Sequence, residues 1–220
     1  MELFEYNKKR NQILLGFSIY CLSLLLIRAK LTNSIYLFFL IWNLFLAVIP
    51  YAITTLLSVN NHLSKNKFKR STLLITWLAF LPNSFYIITD LKHIVGSKGN
   101  LLYLDLIIIS SFAITGFLLG ILSLIEIEKT ITPLVSPKIK SILIPCICVL
   151  CGFGIYIGRV LRYNSWDIIS DPFQLSYDIL PELLAAKTIL FSLHFGVFIY
   201  ITYLFKKHLI SNNYGNHSGI

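Results

Sequence analysis

Apolar residues run along this chain in six long blocks, near 11–27, 35–59, 71–90, 101–125, 141–161 and 182–205, with short polar breaks between them. A helix of about 20 residues crosses a roughly 30 Å hydrocarbon layer, so each block predicts a transmembrane helix. The pattern is that of an all-α, polytopic membrane helix bundle. It reads as one integral membrane domain over 1–220, with no soluble domain, linker tract or clear repeat. The first block follows "NKKR" at 7–10 in the manner of a signal peptide. No small-x-small cleavage site follows it, and Arg28 and Lys30 stop it, so an uncleaved span is expected. Between the fifth and sixth blocks, Asp171 as cap and Pro172 in the first turn predict a short helix over 172–179, lying along the outer surface. Pro181 and Glu182 are then expected to open the sixth span.

Composition strengthens this picture. The chain is 56% hydrophobic and 13% charged, with a mean hydropathy of +0.74; soluble domains are roughly 25% charged. Formal net charge is +9. In a soluble chain that excess would suggest nucleic acid. Here the basic residues sit in the breaks, and none forms a stripe interleaved with exposed aromatics, so the lipid bilayer is the expected partner and nucleic acid is set aside. With the N-terminus inside, the larger share of Lys and Arg falls on the inner side, at 8–10, 65–70, 129–140 and 206–207. Arg28, Lys30, Lys92, Lys98, Arg159, Arg162 and Lys187 fall outside. Both termini are thus expected in the cytoplasm. Of the four cysteines, Cys146 and Cys148 point to nearly opposite sides of a helix. Cys146-x-Cys148-x-x-Cys151 therefore reads as packing, as does Cys21, and no metal site is assigned.

Polar groups inside spans normally face protein or water. In the third block, Thr76, Asn83 and Asp90 recur every seven residues, with Tyr86 near the same stripe. Pro82 frees the carbonyl of Leu78, and Asn83 sits beside that break, either patching it or serving a site. In the fourth, Gly116, Gly120 and Ser123 form a small-residue face, which Asp105 shares. In the fifth, Cys151, Ile155, Gly158 and Arg162 follow helical spacing, and Arg159 extends the same face. Asn164 or Ser165 would cap a following turn, with Trp166 at the membrane interface and Asp167 next to it. His194 is expected to bond across helices. Tyr36, Asn43, Pro50 and Thr54 read as a packing stripe. Asn83, Tyr86, Asp90, Asp105, Arg159, Arg162, Asn164, Trp166 and Asp167 then share the outer third of the bundle. The inner side has basic residues and no such mixed cluster.

"LPNSFYIITDLKHI" (81–94), "YLDL" (103–106), "TGFLLGILSL" (115–124) and "GFGIYIGRVLRYNSWDIISDP" (152–172) together resemble an uncharacterised bacterial family of multi-pass membrane proteins with a domain of unknown function. The family pattern is P-N-x-x-Y-I-x-T-D, W-Y-D-L, T-G-x-x-x-G-x-x-S-L and G-x-x-L-G-R-x-x-R-x-N-S-W-D. The chain departs from it at Tyr103-Leu104, and at Tyr156-Ile157 before Gly158, and at no charged position. The resemblance implies a bacterial membrane protein and brings no activity or cofactor.

Three functions stay open. An envelope enzyme on a lipid-linked or phosphate-bearing substrate would use Arg159 and Arg162 as anion contacts and Asp90 and Asp105 as acid, base or ion ligands. Asn83, Tyr86, Asn164, Trp166 and Asp167 would then line that site. A structural or assembly partner of another membrane protein would use the same charges as a lock. A transporter would relay protons or ions through Asp90, Asp105 and His194. No H-E-x-x-H, G-x-S-x-G or Walker loop is present.

Overall fold

The computed structural model describes residues 7–60, 63, 65–96, 101–163 and 167–215. All regular structure among them is helical. In chain order the elements are α1 (Lys8–Thr32), α2 (Phe39–Val59), α3 (Lys67–Tyr86), α4 (Leu101–Ile131), α5 (Pro137–Tyr156), α6 (Asp167–Ser170), α7 (Pro172–Glu182) and α8 (Ala186–Gly215). A 3-10 segment, Ile87–Gly96, continues α3, and a π turn, Ile157–Leu161, continues α5. Among the described residues, six stretches are long and apolar enough to cross a membrane: Lys8–Thr32, Phe39–Val59, Lys67–Ile94, Leu101–Leu134, Pro137–Leu161 and Ala186–Leu209. Large apolar side chains such as Leu26, Phe45, Ile75, Leu150 and Phe205 stand exposed on them. A water-soluble fold would hide such a surface, whereas lipid solvates it.

The chain forms two compact units, Met1–Gly120 and Ile121–Ile220. In the first, α1 buries Leu14, Cys21, Leu25 and Arg28. Their spacing of seven, four and three is one helical face, so Arg28 points the way the core side chains do. Cys21 Sγ meets Thr115 Oγ1 on α4 at 3.5 Å. Arg28 and Asp105 meet farther along, so α1 and α4 run antiparallel. Gly116 and Gly120 bring α4 close to α3. A Cβ at Gly116 would lie 2.6 Å from Ile87 Cδ1, and one at Gly120 2.7 Å from Phe85 Cε1. The small-residue face read from the sequence is thus a helix-packing surface. Ser84 Oγ donates to the Ala47 carbonyl at 3.0 Å, tying α3 to α2 near Pro50.

In the second unit, α5 and α8 lie against each other through two glycines. A Cβ at Gly152 would collide with the Ser192 carbonyl, and one at Gly196 would lie 2.8 Å from Val149 Cα. Cys148 and Cys151 are buried and Cys146 exposed, the split that helical phase predicts. Ser136 caps α5, accepting from the Ile139 amide, and Pro137 fills its first turn. Asp171 caps α7, accepting from the Gln174 amide at 3.2 Å, as expected. Pro181 and Glu182 do not open the last span: they end α7, and α8 begins at Ala186. Leu183 still donates to the Ile179 carbonyl, and the chain turns only after it. Glu182 instead receives α8's first turn from outside: Thr188 Oγ1 donates to it at 2.8 Å and Lys187 pairs with it at 3.0 Å. A carboxylate suits that end of a helix dipole.

Candidate functional site

In the first unit, ionisable residues gather where α1 ends and α4 begins. Arg28 Nε donates to Asp105 Oδ1 at 2.6 Å and Nη2 to Oδ2 at 3.2 Å. Arg28 is 6% exposed and Asp105 1%. Two parallel bonds fix the plane of the guanidinium as well as neutralising it. Its carbon lies 5.8 Å from the centre of the Tyr36 ring. The Tyr36 hydroxyl meets His93 Nδ1 at 3.2 Å. Asn43 Nδ2 donates to Asp90 Oδ2 at 2.8 Å, and Asp90 is 1% exposed. Asp90 and His93 are three apart in a 3-10 segment, where such residues lie one above the other. The pair with its Tyr36–His93 contact and the Asn43–Asp90 bond thus lie near one another. Arg28 Nη1 is buried and has no hydrogen-bond partner among the described residues.

The expected site residues fare differently. Asp105 points into protein, as its phase requires, and Arg28 holds it. From the sequence Arg28 reads only as an outer-side cation that stops the first block; its spacing from Cys21 and Leu25 is the signal for its inward direction. Asp90 is buried as expected. Its partner Asn43 belongs to the stripe read as packing, of which Pro50 and Thr54 are buried. Asn83 Nδ2 donates to the Phe80 carbonyl at 3.1 Å, two residues on from the expected Leu78. Tyr86 is half-buried, and its carbonyl accepts from Thr89 at 2.6 Å. Arg159 is half-buried in the π turn. Arg162 departs from the reading. The wider π turn breaks the spacing from Cys151 and Ile155, and Arg162 closes the helix exposed, in a left-handed conformation with φ 65°. Asp167 opens α6 and accepts from Ser170 Oγ at 3.3 Å. Asn164 and Trp166 lie outside the described residues. His194 Nδ1 bonds its own helix, at the Leu190 carbonyl 2.7 Å away, and not a neighbouring one.

Two further groups lie in the second unit. Tyr163 donates to Asp178 Oδ2 at 2.5 Å beside a cavity of about 500 Å³ that Tyr177 and Glu182 also line. That acceptor pushes the Tyr163 hydroxyl up to about 12. Glu182 is held below the usual carboxylate range by Lys187 first, then by the hydroxyls of Thr188 and Tyr156. The other group corrects the reading that one side has basic residues only. Glu128, 5% exposed, takes the Tyr203 hydroxyl on Oε2 and two ammoniums on Oε1, Lys207 at 2.7 Å and Lys140 at 2.8 Å. Glu126, two residues earlier on the same helix, is buried too and pairs with Lys129 at 3.3 Å. The apolar block ends at 125, but α4 continues to Ile131 and carries these carboxylates with it. Among the described residues, no group of three or more His, Cys, Asp or Glu side chains is placed to hold a metal.

Compared with known proteins, residues 42–202 match the model of a family described as "Protein of unknown function (DUF1361)". No curated protein and no solved structure matches the chain.

Proposed function

The chain belongs to this DUF1361 family, and from that premise we propose that it binds a phosphate-bearing, lipid-linked substrate at the Arg28 end of its first unit. The proposed setting is a bacterial cytoplasmic membrane with both termini inside, which turns this end outward. The supporting observation is the arginine itself. Asp105 takes its Nε–Nη2 edge and leaves Nη1 buried, with no hydrogen-bond partner among the described residues. An arginine clamped from one side presents its remaining edge in a fixed direction, the arrangement that recognises a phosphate or carboxylate oxygen. Asp90, held by Asn43, is the acid or base of this reading. Arg159 and Arg162 stand as anion contacts in their own unit.

A second reading has an observation of its own. The pair is buried and neutral, so it would also serve as a lock between α1 and α4. Thermal melting of detergent-solubilised protein with and without short-chain phosphatidic acid separates the two. The binding reading expects wild type to be stabilised by the lipid. It expects Arg28→Lys, which keeps the charge and loses the fork, to fold and lose part of that stabilisation. An Arg28→Met/Asp105→Leu variant that folds, responds to the lipid as wild type does and supports growth would leave only the lock.

A further inference from the structure

We infer that the cavity around Glu128 in the second unit is an anion site for a phosphate ester, held by Lys140 and Lys207. Charge comes first. Both ammoniums converge on one carboxylate oxygen, Glu128 Oε1, at 2.8 and 2.7 Å. One negative charge therefore faces two positive ones, and a single positive charge is left over. Donors come next. Each ammonium has three. Lys207 uses one on Glu128 and one, at 3.4 Å, on Tyr203, and Lys140 uses one on Glu128. The remainder are available to oxygen acceptors.

The carboxylate and the lysines are also sorted by depth. The Glu128 side chain is 7% exposed, that of Lys140 29% and that of Lys207 47%. The anion sits inside as an anchor, and the cations reach out from it. Between them is a cavity of about 300 Å³ whose walls change character. Ile144, Pro145 and Leu204 are apolar, whereas Lys140, Ser141 and Lys207 are polar. All three contributing spans are at or near their ends here: Leu101–Leu134 and Ala186–Leu209 are finishing, and Pro137–Leu161 is starting. That places the lysines at headgroup depth, where basic pockets between helices take the phosphates of acidic lipids. A membrane lipid and a free phosphate share the chemistry that this site recognises. The apolar wall distinguishes them, since only a lipid has a use for it.

The test is native mass spectrometry of the full-length protein, exchanged into phosphatidylglycerol or phosphatidylcholine, with and without inorganic phosphate. The wild type is expected to retain phosphatidylglycerol and not phosphatidylcholine. Retention should fall about fivefold for each of Lys140→Gln and Lys207→Gln. Glu128→Gln removes the competing carboxylate and keeps both cations, so it should raise retention if the protein folds. If inorganic phosphate binds and displaces the lipid fully, the site is one for free phosphate. Equal retention of both lipids, or a folded Lys207→Gln variant that holds phosphatidylglycerol as wild type does, would overturn the inference. Lys207 is the more exposed lysine, so its loss is the gentler change should the Lys140 variant fail to fold.

Discussion

Both units bury a carboxylate against a cation near the end of a membrane span, and they differ in how far the cations are exposed. In the first, Asp105 faces Arg28, both charges are out of solvent, and the guanidinium is fixed in plane by two bonds. In the second, Glu128 faces Lys140, Lys207 and the Tyr203 hydroxyl, and the lysines keep a substantial part of their side chains exposed. A fully buried pair is intolerant, because removing either half strands a charge in a low dielectric. A carboxylate that holds two half-exposed ammoniums is tolerant, because water takes over what it releases. The first arrangement fixes direction, and the second stores a surplus of charge.

The sharpest way to break this contrast is Asp105→Ala, which strands Arg28 and should lower stability by about 3–5 kcal/mol. Combining Arg28→Met with Asp105→Leu should recover most of that loss in a detergent melting experiment. Glu128→Gln should cost less, about 1.5–3 kcal/mol, the usual range for a hydrogen bond to a charged group. A loss as large as that of Asp105→Ala would mean that the lysines are not relieved by water. The glycines extend the comparison to packing, where an added methyl costs about 1–3 kcal/mol. Gly152→Ala belongs at the upper end, since it meets the Ser192 backbone. Gly120→Ala belongs at the lower, since it meets the edge of the Phe85 ring, which can turn. The reverse order in urea unfolding would contradict the packing described.

The smallest effect concerns Glu182. Its carboxyl is held below its ordinary value of 4.5, chiefly by Lys187. A depressed folded value means that its contribution is present above 4.5 and is lost as pH falls below that value. Melting temperature followed into acid should therefore decline less in Glu182→Gln than in wild type. Equal slopes would remove Glu182 as a contributor.

Much of this was legible in the sequence, because membrane crossing is a local property. Six apolar blocks, the Asp171–Pro172 helix start and the packing role of Gly116 and Gly120 need only spacing and chain length. The inward direction of Asp105 also follows from phase alone. What phase cannot supply is the partner. Arg28 lies 77 residues from Asp105, and nothing local in either stretch names the other. The Glu128 group was hidden for a different reason. Hydropathy ends the block where carboxylates begin, so α4's last turns looked like loop, and Lys140 and Lys207 were absorbed into the rule for orientation. The direction of Arg162 failed because one π turn shifts all later positions, and no residue type marks such a turn.

The two glycine contacts of α5 and α8 have a mechanical consequence. Each helix presents a bare backbone to the other, Gly152 to Ser192 and Gly196 to Val149. A slide by one residue, about 1.5 Å, would drive a side chain into main chain at both places. The pair therefore behaves as a single strut. Lys140 and Lys207 stand at one end of it; Tyr156, bonded to Glu182 at 2.9 Å, stands towards the other. Whatever displaces the lysine end axially must be felt at α7, because nothing between them is free to slip.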